Sequence, residues 1–239
     1  MEVINGGVPG YGTLQELRFL EETIESLRPG VVLVTVSVFN DVADNAKFAR
    51  TEKRWQDTPK AIYDPLLWLR QHSQLYLMTR RYRSGVSAEK MMDIHAVNPL
   101  PATRRGLEIT EQSVASLADA ARKHGATFGV VLAPAQKQSS PYLWDETLRG
   151  HGLDGTAYAY DMPNRRFDEF AHREQLPLLD LLPTLRSVHD EVYENEHWTP
   201  EGHELVAKVI ADFLREKQML TAAGRAGTLG NREQAANNE

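Results

Sequence analysis

The feature that most constrains the fold is residues 31–38 (VVLVTVSV), an uncharged and largely β-branched run. Such a run predicts a strand that is buried on both faces of a parallel sheet. Similar apolar runs at residues 2–5, 127–132 and 176–181 predict three more strands, and stretches with helical spacing of apolar residues separate the runs. Alternating strands and helices predict an α/β fold with right-handed crossovers and helices on both faces of the sheet.

The 239 residues are 41% hydrophobic and 25% charged, which is typical of a globular chain. We expect one domain over residues 1–218. Within it, residues 46–106 contain a polar irregular stretch and a long connection, so we expect an insertion or cap that could cover a binding site. Residues 219–239 are rich in small and polar residues, and we expect a disordered C-terminal tail.

Local signals place the helix boundaries. A capping box formed by Thr13 and Glu16 predicts a helix that ends at Pro29. Thr199 followed by Pro200 predicts the N-cap and first position of the last helix. Further helices are expected over residues 64–82, from a cap at Thr110, and over residues 165–175.

Composition excludes several functions. The chain has no cysteine, which excludes disulfides, thiolate metal sites and a cysteine nucleophile. Its net charge is −6, so we expect no general affinity for nucleic acid. No apolar run approaches the roughly 18 residues of a membrane span. No signal peptide is visible at the first residues, and neither the compartment nor the oligomeric state follows from the sequence.

Three polar segments follow predicted strands: residues 5–13, 39–45 and 194–203. In open α/β sheets, ligands bind outside the carboxyl ends of the strands. The first segment is a glycine-rich loop that enters a helix, where backbone N–H groups can bind an anion. It lacks the lysine of a P-loop and the third glycine of a dinucleotide fingerprint, so a simple tight turn is the alternative interpretation.

The other two segments carry side chains suited to acyl chemistry. Asn40 can donate its amide to an oxyanion, or it can be a turn residue that binds its own backbone. His197 lies near the carboxylates of Glu194 and Glu196, an arrangement that can prepare an acid–base histidine, although a structural histidine before a helix is the alternative. His203 is six residues from His197, a spacing that does not favour a metal site.

Together the three segments resemble the SGNH (GDSL-type) hydrolase family. The segment NGGVPGYGTLQ at residues 5–15 resembles the family's glycine block, and VSVFNDVADN at residues 36–45 its asparagine block. The segment HWTPEGHELVA at residues 197–207 resembles its histidine block. The resemblance implies a flavodoxin-like three-layer sandwich and the activity of an esterase, lipase, thioesterase or carbohydrate acetylesterase, with no cofactor.

The resemblance also implies roles for individual residues. Gly10 would supply a backbone N–H and Asn40 a side-chain amide to the oxyanion hole, and His197 would be the general base. The family's D-x-x-H spacing places Glu194 as the acid that orients His197, whereas a D-x-H spacing would place Asn195 there, which cannot be an anion. Glu196 is a further candidate for the orienting acid, so this assignment stays open.

One block of the family has no counterpart. A serine in a G-D-S block on the first strand should precede Asn5 by tens of residues, and four residues precede it. We therefore expect the C-terminal bulk of a serine ester hydrolase that lacks the first strand and is inactive alone, its substrate being a small-molecule, carbohydrate or lipid ester. The alternatives are a non-catalytic SGNH-like binding or assembly module and a phosphate- or nucleotide-binding domain.

Overall fold

The computed structural model describes residues 2–38, 40–56 and 92–220, with backbone alone at 51–56 and 189–190. The strands are β1 (Val31–Ser37), β2 (Thr127–Ala133), β3 (Leu178–Asp180), β4 (Tyr193–Glu194) and β5 (His197–Trp198). The α-helices are α1 (Thr13–Leu27), α2 (Asp41–Gln56), α3 (Pro101–Lys123), α4 (Gln136–Ser139), α5 (Pro141–Gly150), α6 (Met162–Arg173), α7 (Leu182–Val188) and α8 (Pro200–Glu216). Single 3₁₀ turns lie at Asp93–His95 and His189–Val192.

The predicted α/β architecture is confirmed. Strands β1, β2 and β3 form a parallel sheet in that order, with Val31 opposite Thr127 and Val130 opposite Leu178. Helices cover the sheet, consistent with a flavodoxin-like layout. Strands β4 and β5 form a separate antiparallel hairpin in which Glu194 is opposite His197.

Two apolar cores lie on opposite faces of the sheet because neighbouring residues of a strand point to opposite sides. On one face, α3 and α6 pack against alternate residues of β1 and β2, in a core that contains Val34, Val36, Val130, Leu132, Val114, Leu117, Phe167 and Phe170. On the other face, α7 and α8 pack against β2, in a core that contains Val131, Leu181, Leu185, Val192, Tyr193 and Val206.

The four predicted strands fare differently. Residues 31–37 and 127–133 are strands, and the run at 176–181 contributes three residues to β3. The strand predicted at residues 2–5 is wrong: this segment is irregular, and Val3 is 79% exposed. A short apolar run forms a strand only where it can pair and be covered, and Val3 meets neither condition. Thr35 of β1 is exposed, so β1 is not buried on both faces as predicted, whereas β2 is.

Several helix predictions also need correction. Residues 46–60 were expected to be irregular, but α2 extends to Gln56, and Asp41 and Asp44 in its first turn favour a helix start. Thr110 lies in the middle of α3, which begins at Pro101. The helix expected over residues 64–82 lies outside the described residues.

Of the three helix caps predicted from the sequence, those of the first and last helices hold within one residue. Thr199 is the N-cap of α8, since its Oγ1 accepts a hydrogen bond from the Gly202 N–H at 3.1 Å. Helix α1 has Gly12 as N-cap, and Gln15 Oε1 accepts from the Gly12 N–H at 3.3 Å, so the expected capping pair shifts by one residue. No helix in the described ranges has the length and apolar character needed to cross a membrane.

Candidate functional site

The carboxyl ends of β1 and β2 bring the three polar segments to one edge of the sheet. Asn40 lies in the turn that follows β1, and its N–H donates to the Ser37 carbonyl at 3.3 Å. The hairpin that carries His197 is fixed beyond the end of β2, where the Tyr193 hydroxyl donates to the Pro134 carbonyl at 3.0 Å. The structure therefore places Asn40 and His197 beyond the carboxyl ends of neighbouring strands.

The glycine loop ends at the same edge. Its residues 8–11 form a turn in which the Tyr11 N–H donates to the Val8 carbonyl at 3.0 Å. Gly10 has a φ of +83° at the third position, with Pro9 before it, which is the pattern of a type II turn. Gly10 is exposed, so its backbone N–H belongs to a surface loop.

Asn45, the last residue of the asparagine block, joins the glycine loop to the rest of the edge through partners that the sequence did not reveal. Its side chain is fully buried, and Oδ1 accepts from the Leu14 N–H at 3.1 Å. Its Nδ2 donates to the hydroxyls of Thr13 and Thr110, each at 2.8 Å. Asn45 thus caps α1 from α2 and ties both helices to α3. A Cβ on Gly12 would lie 2.5 Å from Asn45 Oδ1, so this close approach requires glycine.

Asn40 and Asp41 form the turn from β1 into α2. The Asn40 carbonyl accepts from the Asp44 N–H at 2.9 Å, and the residue is exposed. Asp41 is buried, and its Oδ2 accepts from the Ser37 N–H at 2.9 Å. The Asp41 carboxyl therefore closes the turn that holds Asn40 at the surface.

His197 occupies the first position after a two-residue hairpin turn. Asn195 and Glu196 have φ values of +50° and +68°, which is typical of a type I′ turn. His197 Nδ1 lies 2.8 Å from the Asn195 carbonyl oxygen, and the ring is exposed. In the tautomer that carries the proton on Nδ1, this nitrogen donates to the carbonyl and Nε2 keeps a lone pair for a base.

Both candidate acids lie on this hairpin. Glu194 is directly opposite His197 in the strand register and is exposed, yet among the described residues no ion pair joins the two side chains. The Glu196 N–H donates to Gln136 Oε1 at 3.1 Å, which anchors the turn to the segment after β2. The Asn195 carbonyl holds Nδ1 in this structure, and the orienting role of Glu194 stays a prediction.

A buried polar network beyond the ends of β2 and β3 was not predicted from the sequence. Gln138 is fully buried, and its Nε2 donates to the Tyr160 carbonyl at 2.7 Å and to Asn164 Oδ1 at 2.8 Å. Asn164 Nδ2 in turn donates to Asp180 Oδ1 at 2.7 Å. Burial raises the pKa of Asp180, while hydrogen bonds from Leu182 and Asn164 lower it. This network fixes the segment that supports the His197 hairpin.

Lys137 and His95 are buried near that segment. Burial lowers the pKa of Lys137, and the Glu196 carboxylate opposes the shift. Burial lowers the pKa of His95 to about 3, and the charge of Lys137 acts in the same direction. His95 is therefore a neutral histidine, packed edge-on against Trp144 at a ring distance of 5.2 Å.

The described residues offer few other candidates for a metal ligand or a nucleophile. Within residues 2–38, 40–56 and 92–220, no group of three or more acidic or histidine side chains is placed to hold a metal ion. Ser139 is fully buried, and its Oγ lies 3.4 Å from the Tyr193 hydroxyl, so it is not open to a substrate. Comparison with protein-family models, with curated proteins and with solved structures found no match to this chain.

Proposed function

We propose that this chain forms the part of an SGNH-type serine ester hydrolase that carries the oxyanion hole and the general base. The 239 residues contain no G-D-S sequence, so in this proposal a serine outside them is the nucleophile. The observation that carries the proposal is the placement of Asn40 and His197 beyond the carboxyl ends of adjacent parallel strands.

The proposed reaction is acyl transfer followed by hydrolysis. His197 Nε2 accepts the serine proton while the serine oxygen attacks the ester carbonyl carbon. The Gly10 N–H and the Asn40 amide donate to the carbonyl oxygen as it gains negative charge. His197 then returns the proton to the departing alcohol, which leaves an acyl-serine. Water, activated by the same nitrogen, releases the acid and restores the serine.

The electrostatics of the edge agree with these roles. The Asn195 carbonyl oxygen fixes the His197 ring through Nδ1, as an orienting acceptor does in a hydrolase triad. Asn40 is exposed at the helix start, where its amide is accessible to a substrate. The substrate class in this proposal is a small-molecule, carbohydrate or lipid ester.

The test compares residues 1–239 with the same chain carrying an added N-terminal strand with G-D-S. The chain alone should hydrolyse p-nitrophenyl acetate no faster than its surface histidines do. The extended chain should be several orders of magnitude faster, and His197→Ala should abolish the acyl-enzyme burst, whereas His151→Ala at an exposed site should not. Turnover by residues 1–239 alone that a serine reagent inhibits would contradict the proposal.

A second candidate is a non-catalytic module of the same fold that binds ester-bearing ligands or assembles with another protein. The absence of an ion pair between Glu194 and His197 in the described structure favours it, because a hydrolase usually orients its histidine with a carboxylate. The DNA upstream of codon 1 separates the two candidates. An in-frame G-D-S strand supports the hydrolase, and a stop codon followed by a ribosome-binding site supports the module.

A further inference from the structure

Gln136 contacts the turn of the His197 hairpin from the segment after β2. Its side chain is half-buried, and its Oε1 accepts a hydrogen bond from the Glu196 N–H at 3.1 Å. Within the hairpin, His197 Nδ1 lies 2.8 Å from the Asn195 carbonyl oxygen. This carbonyl and the Glu196 N–H belong to one peptide group. Gln136 and His197 therefore bind the two ends of the same peptide.

The shared peptide connects the two side chains geometrically. A peptide group is planar, and in the trans form its N–H and its C=O point in opposite directions. A hydrogen bond that fixes the direction of the Glu196 N–H therefore also fixes the direction of the Asn195 carbonyl. Because that carbonyl binds His197 Nδ1, the Gln136 side chain acts on the orientation of the imidazole without touching it.

This peptide has a second orientation that a hairpin turn allows. In a type I′ turn both central residues have positive φ, whereas in a type II′ turn only the first does. The two types differ by rotation of the peptide between the central residues, which here are Asn195 and Glu196. Rotation would point the Asn195 carbonyl away from His197, so the turn type decides whether the histidine has its acceptor.

The local sequence does not fix the turn type strongly. Type I′ turns favour glycine at the second central position and type II′ turns favour it at the first. The pair Asn195–Glu196 contains no glycine, and Glu196 has a φ of +68° in the observed turn. A contact from outside the turn can therefore decide its orientation, and the bond to Gln136 is such a contact.

Hydrogen bonds from the same segment fix the position of Gln136. It is the first residue of α4, and Gln138 Oε1 accepts from the Ala135 N–H at 2.8 Å just before it. The Tyr193 hydroxyl, at the base of the hairpin, donates to the Pro134 carbonyl at 3.0 Å. The base of the hairpin and the residue that holds its turn are thus attached to one short segment after β2.

We propose that Gln136 is a positioning residue for His197, which acts through the Asn195–Glu196 peptide to hold the imidazole in the tautomer with its proton on Nδ1. A carbonyl oxygen only accepts, so Nδ1 donates and Nε2 keeps its lone pair. Hydrogen bonds at both ends of a peptide polarise it and strengthen each other. The amide and the peptide together thus supply the orienting acceptor that a carboxylate supplies in a hydrolase triad. The inference rests on the proposed function for the role of His197 as a base.

The experiment determines the His197 tautomer in the full chain by nitrogen-15 NMR of the ring, at about pH 8.5, above the ordinary histidine range. His197→Ala identifies the signals. In the parent chain we expect the Nδ1-protonated form to predominate, although free histidine favours the Nε2-protonated form. Gln136→Met keeps the side-chain length without the oxygen, and it should shift the ratio about fivefold towards the Nε2-protonated form, which corresponds to about 1 kcal/mol.

Two further variants show that the acceptor oxygen is the cause. Gln136→Glu keeps an oxygen that accepts from the Glu196 N–H, so it should keep the parent ratio. Gln112→Met, at an exposed site on α3, should also leave the ratio unchanged. A ratio in Gln136→Met equal to that of the parent would overturn the inference. Equal shifts in Gln136→Met and Gln136→Glu would overturn it as well, because the oxygen would then have no effect.

Should Gln136→Met fail to fold, hydrogen exchange in the parent chain decides the matter. If the Glu196 N–H is held by Gln136, it should exchange at least about fivefold more slowly than in an unstructured peptide of the same sequence. Exchange at the rate of the peptide overturns the inference.

Activity of the extended chain that carries G-D-S separates this inference from the proposed function. If both hold, Gln136→Met should lower kcat about fivefold with little change in KM, and Gln136→Glu should restore it. An extended chain without activity contradicts the proposed function, and the tautomer measurement still decides the role of Gln136. An active extended chain whose kcat does not change in Gln136→Met overturns the positioning role.

Discussion

The two sides of the carboxyl edge differ in how their buried polar groups are connected. On the side of β2 and β3, Gln138, Asn164 and Asp180 form a continuous hydrogen-bonded chain. On the side of β1, Glu16 has a buried oxygen without a partner and Asp41 lies in its repulsive field. Both sides hold candidate site residues, and each has one buried atom without a hydrogen-bonding partner among the described residues, Glu16 Oε2 on the β1 side and His95 Nδ1 near the β2–β3 network.

The strands show the same contrast. Strand β2 is buried on both faces and paired on both edges, whereas β1 exposes Thr35 and, within the described residues, pairs only with β2. The β2–β3 side therefore has the properties of a rigid scaffold for the His197 hairpin. On the β1 side, one strand face is partly exposed, and within the described residues one strand edge has no pairing strand.

The largest expected effect concerns the edge of β1 that has no pairing strand in the described part of the chain. An edge strand with an exposed face offers unpaired backbone groups to another chain. We expect residues 1–239 to self-associate as concentration rises, measured by size-exclusion chromatography with light scattering. Addition of an N-terminal strand should restore the monomer. A monodisperse monomer of residues 1–239 with one sharp cooperative melt would contradict this prediction.

The next effect compares the two buried amides that organise the two sides. Asn45→Ala removes the partner of the Leu14 N–H and two bonds to threonine hydroxyls. Gln138→Ala removes the partners of the Ala135 N–H, the Tyr160 carbonyl and the Asn164 side chain. Each orphaned buried group costs about 1–3 kcal/mol, so each variant should lose about 4 kcal/mol.

Urea unfolding of both variants and of their combination measures these losses. The two amides lie in separate networks, so the losses should add within about 0.5 kcal/mol. Gln112→Ala, at an exposed site on α3, is the control and should change stability by less than about 0.5 kcal/mol. If the loss of stability in the double variant differs strongly from the sum of the two single losses, the two sides form one cooperative network and the contrast between them does not hold.

The sequence predicted the parts of this fold that depend on local pattern. The β-branched run of β1 and the Thr199–Pro200 start of α8 were readable because propensity and capping act over a few residues. The irregular state of residues 2–5 was not, since strand formation depends on a pairing partner elsewhere in the fold. The polar run after Asn40 likewise gave no sign that α2 would cover an apolar face through Val42.

For the site, the sequence located segments but not their contacts. Asn40 could be placed at this edge because it follows a strand of the parallel sheet, whereas His197 lies on a separate antiparallel hairpin that tertiary contacts hold there. The bonding partners of Asn45 and Gln138 could not be predicted, because for most of their bonds these partners lie between 22 and 65 residues away. The burial of the Glu16 Oε2 was hidden for a similar reason: a first-turn acid of α1 suggests an exposed side chain.

A smaller effect tests the β1 side of the site in the extended chain that carries G-D-S. Asn40→Ala removes one proposed oxyanion donor and should reduce turnover by about 10²–10³, which corresponds to about 3 kcal/mol. Steady-state hydrolysis of p-nitrophenyl acetate measures it, with Asn98→Ala at another exposed site as control. Loss in kcat with little change in KM is expected, and equal rates for both variants would remove Asn40 from the proposed oxyanion hole.

The smallest effect concerns backbone strain in the turn of the hairpin that carries His197. Glu196 holds a φ of +68°, a left-handed conformation that glycine adopts without steric cost. Glu196→Gly should therefore stabilise the chain by about 0.5 kcal/mol, since relief of strain exceeds the added freedom of the unfolded chain. Its N–H still reaches Gln136. Glu196→Gln keeps the strain and removes the charge near Lys137, so it separates the two contributions in thermal unfolding. If Glu196→Gln stabilises the chain as much as Glu196→Gly does, the negative charge of Glu196, and not the strain of the turn, reduces the stability of this hairpin.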